Sequence, residues 1–491
     1  MRCLVTEKED IKMEEKSVNQ TFTENGDQAY ASTLDVFLDL FAVLGSSRWN
    51  PKTVKPLFNK ALRLDFRKAL ALLLYTRDIR GGLGERDTFR VLLKIVAERM
   101  PDVARKLIPL VPLYGRYDDL FSLLSTPCEK EMASFVKKVL EEDSKNGKAQ
   151  ISLLSKWMPS INCHKRERRK QGERMASLLG MSPSRYRKLL SSLRKGRIIE
   201  NDLRTMDYSF DYAKVPSLAM SKYRQAFLRN DALRYQQYLQ DVREGKEKMN
   251  VDVLYPYDII REYHENMTES EKVAMEEKWK RMKEEFPSMK NTIVVRDGSA
   301  SMLDYDAYPM QVATSLSILF SEYLEGPFKD SFITFSSRPK LVTFKAKATL
   351  SDKLKEVNRH RDCSNTNVLK VYELLAKMES KAKEEEQIRR VIIISDMEFD
   401  RGVENVPTYE TFVQIFRKKG LVLPQIVYLN VCSRHIHYSA TKDQQVLLLS
   451  GAGKNLLKLL SRKDFPSPLA FMEETISPYQ RKIDELYPKE N

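Results

Sequence analysis

The sequence predicts an array of α-helices over residues 31–286, followed by a doubly wound α/β domain over residues 287–491, with residues 1–30 as a loosely ordered N-terminal tail. Three observations carry this reading. The first thirty residues are polar, acidic in places and aperiodic. Apolar residues then recur at helical spacing to about residue 240, and after Pro287 short apolar runs alternate with helical stretches. With 491 residues, 42% apolar and 31% charged, the chain can bury more than one core, which excludes a single small module.

Each element follows from local pattern. Phe66, Leu70, Leu73 and Leu74 fit one helical face, as do Phe89, Leu92, Leu93, Val96 and Met100, and again Met132, Phe135, Val136, Val139 and Leu140. Asn50-Pro51 reads as an N-cap with proline at the first helical position, and Asp87 precedes a helix over residues 91–100. No strict repeat period emerges, which fits an irregular helical-repeat array. Arg80-Gly81-Gly82-Leu83-Gly84-Glu85-Arg86 lacks both the Lys-Ser/Thr of a phosphate loop and a preceding strand, so it reads as a helix–helix turn. Thr268-Glu269-Ser270-Glu271 is a capping box that opens a charged helix with Trp279 and Met282 inward. Beyond Pro287 strands are expected at 292–295, 332–335, 391–394 and 426–431, and helices near 312–323, 368–378, 411–418 and 455–460. Gly451-Ala452-Gly453-Lys454 fails phosphate-loop spacing and reads as a strand-to-helix turn.

Charge and cysteine usage bound the setting. The net charge is +15, and residues 161–230 alone carry seventeen Lys and Arg against six Asp and Glu. An anionic partner is expected there. Five scattered cysteines, an odd number with no pair at metal or redox spacing, argue against a disulfide framework and for a reducing compartment. No run approaches the ~20 apolar residues of a bilayer span, and Met1–Val5 runs directly into Glu7, Lys8 and Glu9, so a cytoplasmic protein without membrane contact is expected.

The chemistry gathers at the expected carboxyl ends of the strands. Asp297-Gly298-Ser299-Ala300-Ser301 follows the first strand of the α/β domain and can turn three oxygens toward one point. Asn365-Thr366-Asn367 heads a later helix, and Ser395-Asp396 closes an apolar strand, bringing further oxygen ligands to the same edge. Such a donor set suits Mg²⁺ or another divalent cation. His435-x-His437 has no visible third ligand and reads as a loop pair without metal.

This pattern resembles the von Willebrand factor A domain with its metal-ion-dependent adhesion site, to which Asp297, Ser299, Ser301, Thr366 and Asp396 correspond as ligands. Two departures stand out: Arg296, where such a strand is usually apolar and where it could pair with Asp297 or a nearby acid, and Met397, where glycine commonly follows the aspartate. Thr76–Arg86, Tyr114-Gly115-Arg116-Tyr117-Asp118-Asp119-Leu120, Val215-Pro216-Ser217-Leu218-Ala219-Met220 and Ser395-Asp396-Met397-Glu398-Phe399 resemble signatures of a family of uncharacterised proteins. That family is related to the TROVE-domain Ro autoantigens and telomerase-associated proteins. Over residues 30–480 the resemblance implies a TROVE- or HEAT-like helical-repeat half joined to the A domain. In the Ro branch it implies a ring that binds small structured or misfolded RNA.

Lys165, Arg166, Arg168, Arg169, Lys170, Arg185, Arg187, Lys188, Arg194, Lys195, Arg197, Lys222 and Arg224 are interleaved with Tyr186, Tyr208, Tyr223 and Phe227. Cations for phosphate and aromatics for unpaired bases are the recipe for RNA with single-stranded parts. The reading is a non-enzymatic RNA-binding protein of Ro type with a Mg²⁺ adhesion site for a protein partner. The alternative is an interaction scaffold whose metal captures an acidic partner residue, without RNA. A metal-dependent hydrolase is disfavoured because no nucleophile or base with an orienting partner adjoins the metal loops in sequence.

Overall fold

A computed structural model describes residues 19–145, 147, 150–195, 198–251, 254–283, 286–336, 338–360, 367–401, 406–461 and 467–488. The chain forms two compact units: one joins the segment up to Leu72 with Leu254–Arg481, and the other joins Leu73–Val253 with the residues from Lys482 onward. The units therefore interleave along the sequence, where the motifs were read as two consecutive domains.

The first unit begins with an antiparallel hairpin, β1 (Gln20–Phe22) and β2 (Gln28–Tyr30). These residues were expected in a loose tail, but they have tertiary partners. The Thr23 hydroxyl donates to the Phe399 carbonyl at 2.6 Å, Asn25 Nδ2 to the Glu398 carbonyl at 2.7 Å, and Tyr30 forms a bridge with Tyr438. Polarity and short strands gave the sequence no periodic signal here.

Among the described residues eight further strands follow: β3 (Met289–Lys290), β4 (Thr292–Asp297), β5 (Leu324–Glu325), β6 (Ser331–Phe335), β7 (Leu341–Thr343), β8 (Arg390–Ser395), β9 (Gln425–Asn430) and β10 (Val446–Ser450). Six of them make one mixed sheet in the order β10-β9-β8-β4-β6-β7, parallel except for β7, while β3 pairs with β5. Ile293, Val294, Val295 and Val391–Ile394 have no exposed surface, the signature of strands covered on both faces. The chain runs from β4 out to β6 and β7, then returns to lay down β8, β9 and β10 on the other side. Its strand order thus reverses between β4 and β8, where the carboxyl ends leave a crevice. Helices Asp304–Ser321, Val368–Glu379, Thr408–Lys418 and Asn455–Leu460 lie near the expected positions, while Leu350–Arg359 and Pro468–Leu486 add to them. The Thr268 capping box forms as expected, with Trp279 and Met282 buried. Asn50-Pro51 instead starts a turn, and the helix begins at Lys55.

The second unit is helical. Arg86–Arg99, Glu129–Lys145, Arg166–Leu178, Pro183–Arg194, Ser217–Asn230 and Ala232–Arg243 are its main elements. Its aromatic residues Tyr212, Phe227, Tyr235 and Tyr238 pack ring against ring at 5.3–5.6 Å. A second cluster is ionic: Asp119, wholly buried, accepts from Arg77 Nε and Arg90 Nε, both at 2.7 Å, and from the Arg116 backbone N–H at 2.9 Å. Gly115 permits this approach, since a Cβ there would lie 2.5 Å from the Asp119 carboxylate. Gly82 likewise sits where a Cβ would fall on the Tyr75 carbonyl.

Candidate functional site

Strand geometry brings the first candidate site together. Arg296 of β4 is in register with Ile394 of the parallel β8, so Asp297 and Ser395-Asp396 emerge side by side at the reversal of strand order. Asp297 is fully buried and accepts from the Ser299 backbone N–H at 2.8 Å and the Ser395 hydroxyl at 2.5 Å. The hydroxyls of Ser299 and Ser301 are 3.0 Å apart. Asp396, 2% exposed, accepts the Glu398 backbone N–H at 3.2 Å. Thr366 lies outside the described residues.

Burial pushes the Asp396 carboxyl up to about 7, reinforced by the negative charge of Asp297; burial raises Asp297 as well. Two buried carboxylates that resist ionising together, with two hydroxyls beside them, form a donor set that fits a hard divalent cation. The Arg434 guanidinium already offsets part of that charge, lying 3.2 Å from Asp396, 3.1 Å from Asp304 and 3.1 Å from Glu24. Arg296 is buried and donates to the Thr314 hydroxyl at 3.1 Å, with Met310 sulfur 2.9 Å from its terminal nitrogen. Met397 occupies the left-handed region at φ 68°, the conformation that makes glycine common at that position.

The sequence missed the groups on the far side of Arg434. His435 and His437 lie in a loop and flank the two carboxylate oxygens of Glu398. Glu24 reaches the same place from the hairpin, and its backbone N–H donates to Glu398 at 2.6 Å. A separation of 374 residues leaves no local signal for that contact.

The second candidate site is the basic surface of the helical unit. Lys165, Arg166, Arg169, Lys170, Arg185, Arg187, Lys188, Lys195 and Lys222 are exposed. Two expected contacts are committed elsewhere. Arg194 spends its guanidinium on the Ser155 and Met158 carbonyls and the Ser160 hydroxyl, at 2.7–2.8 Å, and the half-buried Arg168 donates to the Trp157 carbonyl. Arg224 is half-buried, and Arg197 lies outside the described residues. Tyr186 and Phe227 are core residues with no exposed surface, so only Tyr208 and Tyr223 retain ring surface for stacking. Beside the cations lies a cavity of about 530 Å³ lined by Asn162, Arg187, Lys188, Arg194, Asn201 and Arg204 among others.

Known proteins place this architecture. Residues 23–109 and 164–290 match the family model "Domain of unknown function (DUF2828)", and residues 291–478 match "Domain of unknown function (DUF7788)". The crystal structure of the Ro (RSR) protein of Deinococcus radiodurans is similar over 87% of this chain and 99% of its own, with a TM-score of 0.51 and 12% identity. In fold the chain is thus Ro-like, and the two family models meet at residues 290 and 291. Uncharacterized protein L728 of Acanthamoeba polyphaga mimivirus is 28% identical over 514 residues, spanning 94% of this chain and 88% of the viral one. Among the described residues no helix is long and apolar enough to cross a membrane.

Proposed function

We propose that this is a non-catalytic RNA-binding protein of Ro type, which takes small or misfolded RNA on the basic helices of its second unit. The observation that supports it most is the run of exposed cations on Arg166–Leu178 and Pro183–Arg194, which have no ion-pair partner among the described residues except at Glu129–Arg174. Cations left uncompensated in this way neutralise phosphates at little desolvation cost. The polar cavity beside Arg187 and Lys188 offers room for an unstacked nucleotide. The Ro fold gives this reading its context, since Ro relatives are expected to bind such RNA.

In the same proposal the sheet edge reads as a von Willebrand factor A domain, with Asp297, Ser299, Ser301 and Asp396, joined by Thr366, holding Mg²⁺ as an adhesion site. Bound there, the cation would supply an open position that accepts a carboxylate from a protein partner. A second reading, an interaction scaffold without RNA, draws on this same carboxylate pair. Purification in moderate salt separates the two. Nuclease-sensitive nucleic acid that copurifies with the wild type, and is depleted on charge removal from the basic helices, supports RNA binding. A nucleic-acid-free preparation that also fails to bind a labelled RNA hairpin with single-stranded ends leaves the scaffold reading.

A further inference from the structure

We propose that Glu24, Glu398 and His435 form a second metal site, suited to a borderline transition ion such as Zn²⁺, which clasps the N-terminal hairpin to the loops after β8 and β9. One ligand atom from each of the three side chains lies within 4.8 Å of the others. The Glu398 side chain is fully buried, yet its Oε1 has no hydrogen-bond partner and faces Nδ1 of His435 at 3.5 Å. A buried acceptor left unmet is costly, and a cation would satisfy it. The opposite oxygen accepts the Glu24 backbone N–H and lies 3.3 Å from Nε2 of His437.

His437 has a side chain only 3% exposed, and neither ring nitrogen makes an aligned hydrogen bond. Its Nε2 lies 3.3 Å from Glu398 Oε2, close enough to hold that carboxylate as outer groups hold the ligands of metal centres. His435 and Glu24 are 62% and 46% exposed, so an ion has access from solvent. One imidazole and two carboxylates make a mixed nitrogen and oxygen set, which favours Zn²⁺ or a neighbouring transition ion over Mg²⁺. Arg434 lies 3.1 Å from Glu24 and 3.2 Å from Asp396, so it stands between this cluster and the Asp297–Asp396 edge. On metal binding Arg434 would give up Glu24 while keeping Asp396 and Asp304. The site is independent of the RNA and Mg²⁺ readings.

Chelator-stripped, tag-free full-length protein titrated with Zn²⁺ by calorimetry, and with Co²⁺ by visible absorption, tests the assignment. Glu24→Gln and His435→Ala change exposed side chains and spare the core. The wild type is expected to take up one Zn²⁺ that excess Mg²⁺ does not displace, and to give Co²⁺ bands that include a nitrogen ligand. Each variant should lower Zn²⁺ affinity at least about tenfold, while Asp297→Ala keeps it. Absence of uptake by the wild type, equal uptake by Glu24→Gln and His435→Ala, or loss in Asp297→Ala alone would each overturn the site.

Discussion

Replacing Arg166, Arg169 and Lys170 together with Gln is expected to weaken RNA binding and flatten its dependence on salt. The three residues fall at i, i+3 and i+4 on the helix Arg166–Leu178, so they share one exposed face. Each phosphate neutralised contributes roughly 0.7 units of slope on single strands and roughly 0.9 on duplex, so three contacts amount to about 2–3 units. At a difference of about 2 units, a fourfold rise in salt costs the wild type about sixteenfold more affinity than the variant. Fluorescence anisotropy of a labelled RNA hairpin with single-stranded ends, repeated across a KCl series, reads this directly. Arg194→Gln is the internal control. Its guanidinium is tied to Ser155, Met158 and Ser160, so its removal should lower thermal stability and leave the slope unchanged. An unchanged slope in the triple variant, or an equal loss of slope in Arg194→Gln, would refute the assignment of the face to phosphate.

Asp297→Ala should abolish Mg²⁺-dependent thermal stabilisation, which for a bound cation at a hundredfold its Kd is worth about 2.7 kcal/mol; equal response in both proteins removes the metal assignment. Ser299→Ala should leave RNA affinity within a few-fold of wild type while depleting a protein partner from pull-downs, and release of RNA instead would mean that the cation bridges phosphate. Asp119→Asn leaves the buried Arg77 guanidinium without its counter-charge, and urea unfolding should register a loss of about 3–5 kcal/mol, whereas a loss below about 1 kcal/mol would show the pair to be solvated. The Tyr372 and Tyr428 hydroxyls lie 2.9 Å apart in the core, and burial raises both above the ordinary 10.0. Groups raised in the folded state lend stability that is complete below the unfolded value and fades as pH climbs past it. Thermal melts should therefore fall above pH 10 in the wild type and fall less in Tyr372→Phe/Tyr428→Phe; identical alkaline limbs would contradict this.

The sheet was legible in the sequence wherever burial on both faces made runs such as Val391–Ile394 wholly apolar. It was less legible at β7, whose Leu341 and Thr343 are exposed, and in the three-residue hairpin strands, too short to display a period. The carboxylate edge could be read because strand ends place Asp297 and Asp396 together whatever their distance in sequence. Arg434, Glu24 and the Glu398–histidine contacts could not, because loops bring them together without a spacing rule. Among the basic residues, composition identified the cations but could not separate exposed Arg169 from Arg194, which lies on a helix of similar charge and turns inward to three acceptors.

The motifs that carried the resemblance are chiefly structural. Arg77, Gly115, Arg116 and Asp119 belong to one buried ionic cluster, and Gly82 to the turn that packs on Tyr75. Met397 stands in the left-handed turn after Asp396. Such positions tolerate few replacements because a Cβ would collide or a buried charge would lose its partner. Phosphate contacts impose no comparable geometry: a Lys or Arg anywhere on an exposed face serves. A sequence signature built from the first kind of residue therefore transmits the fold more faithfully than the ligand. It follows that the RNA face must be established by the salt response of its own cations, and the metal loops by the donors that Asp297 and Asp396 present.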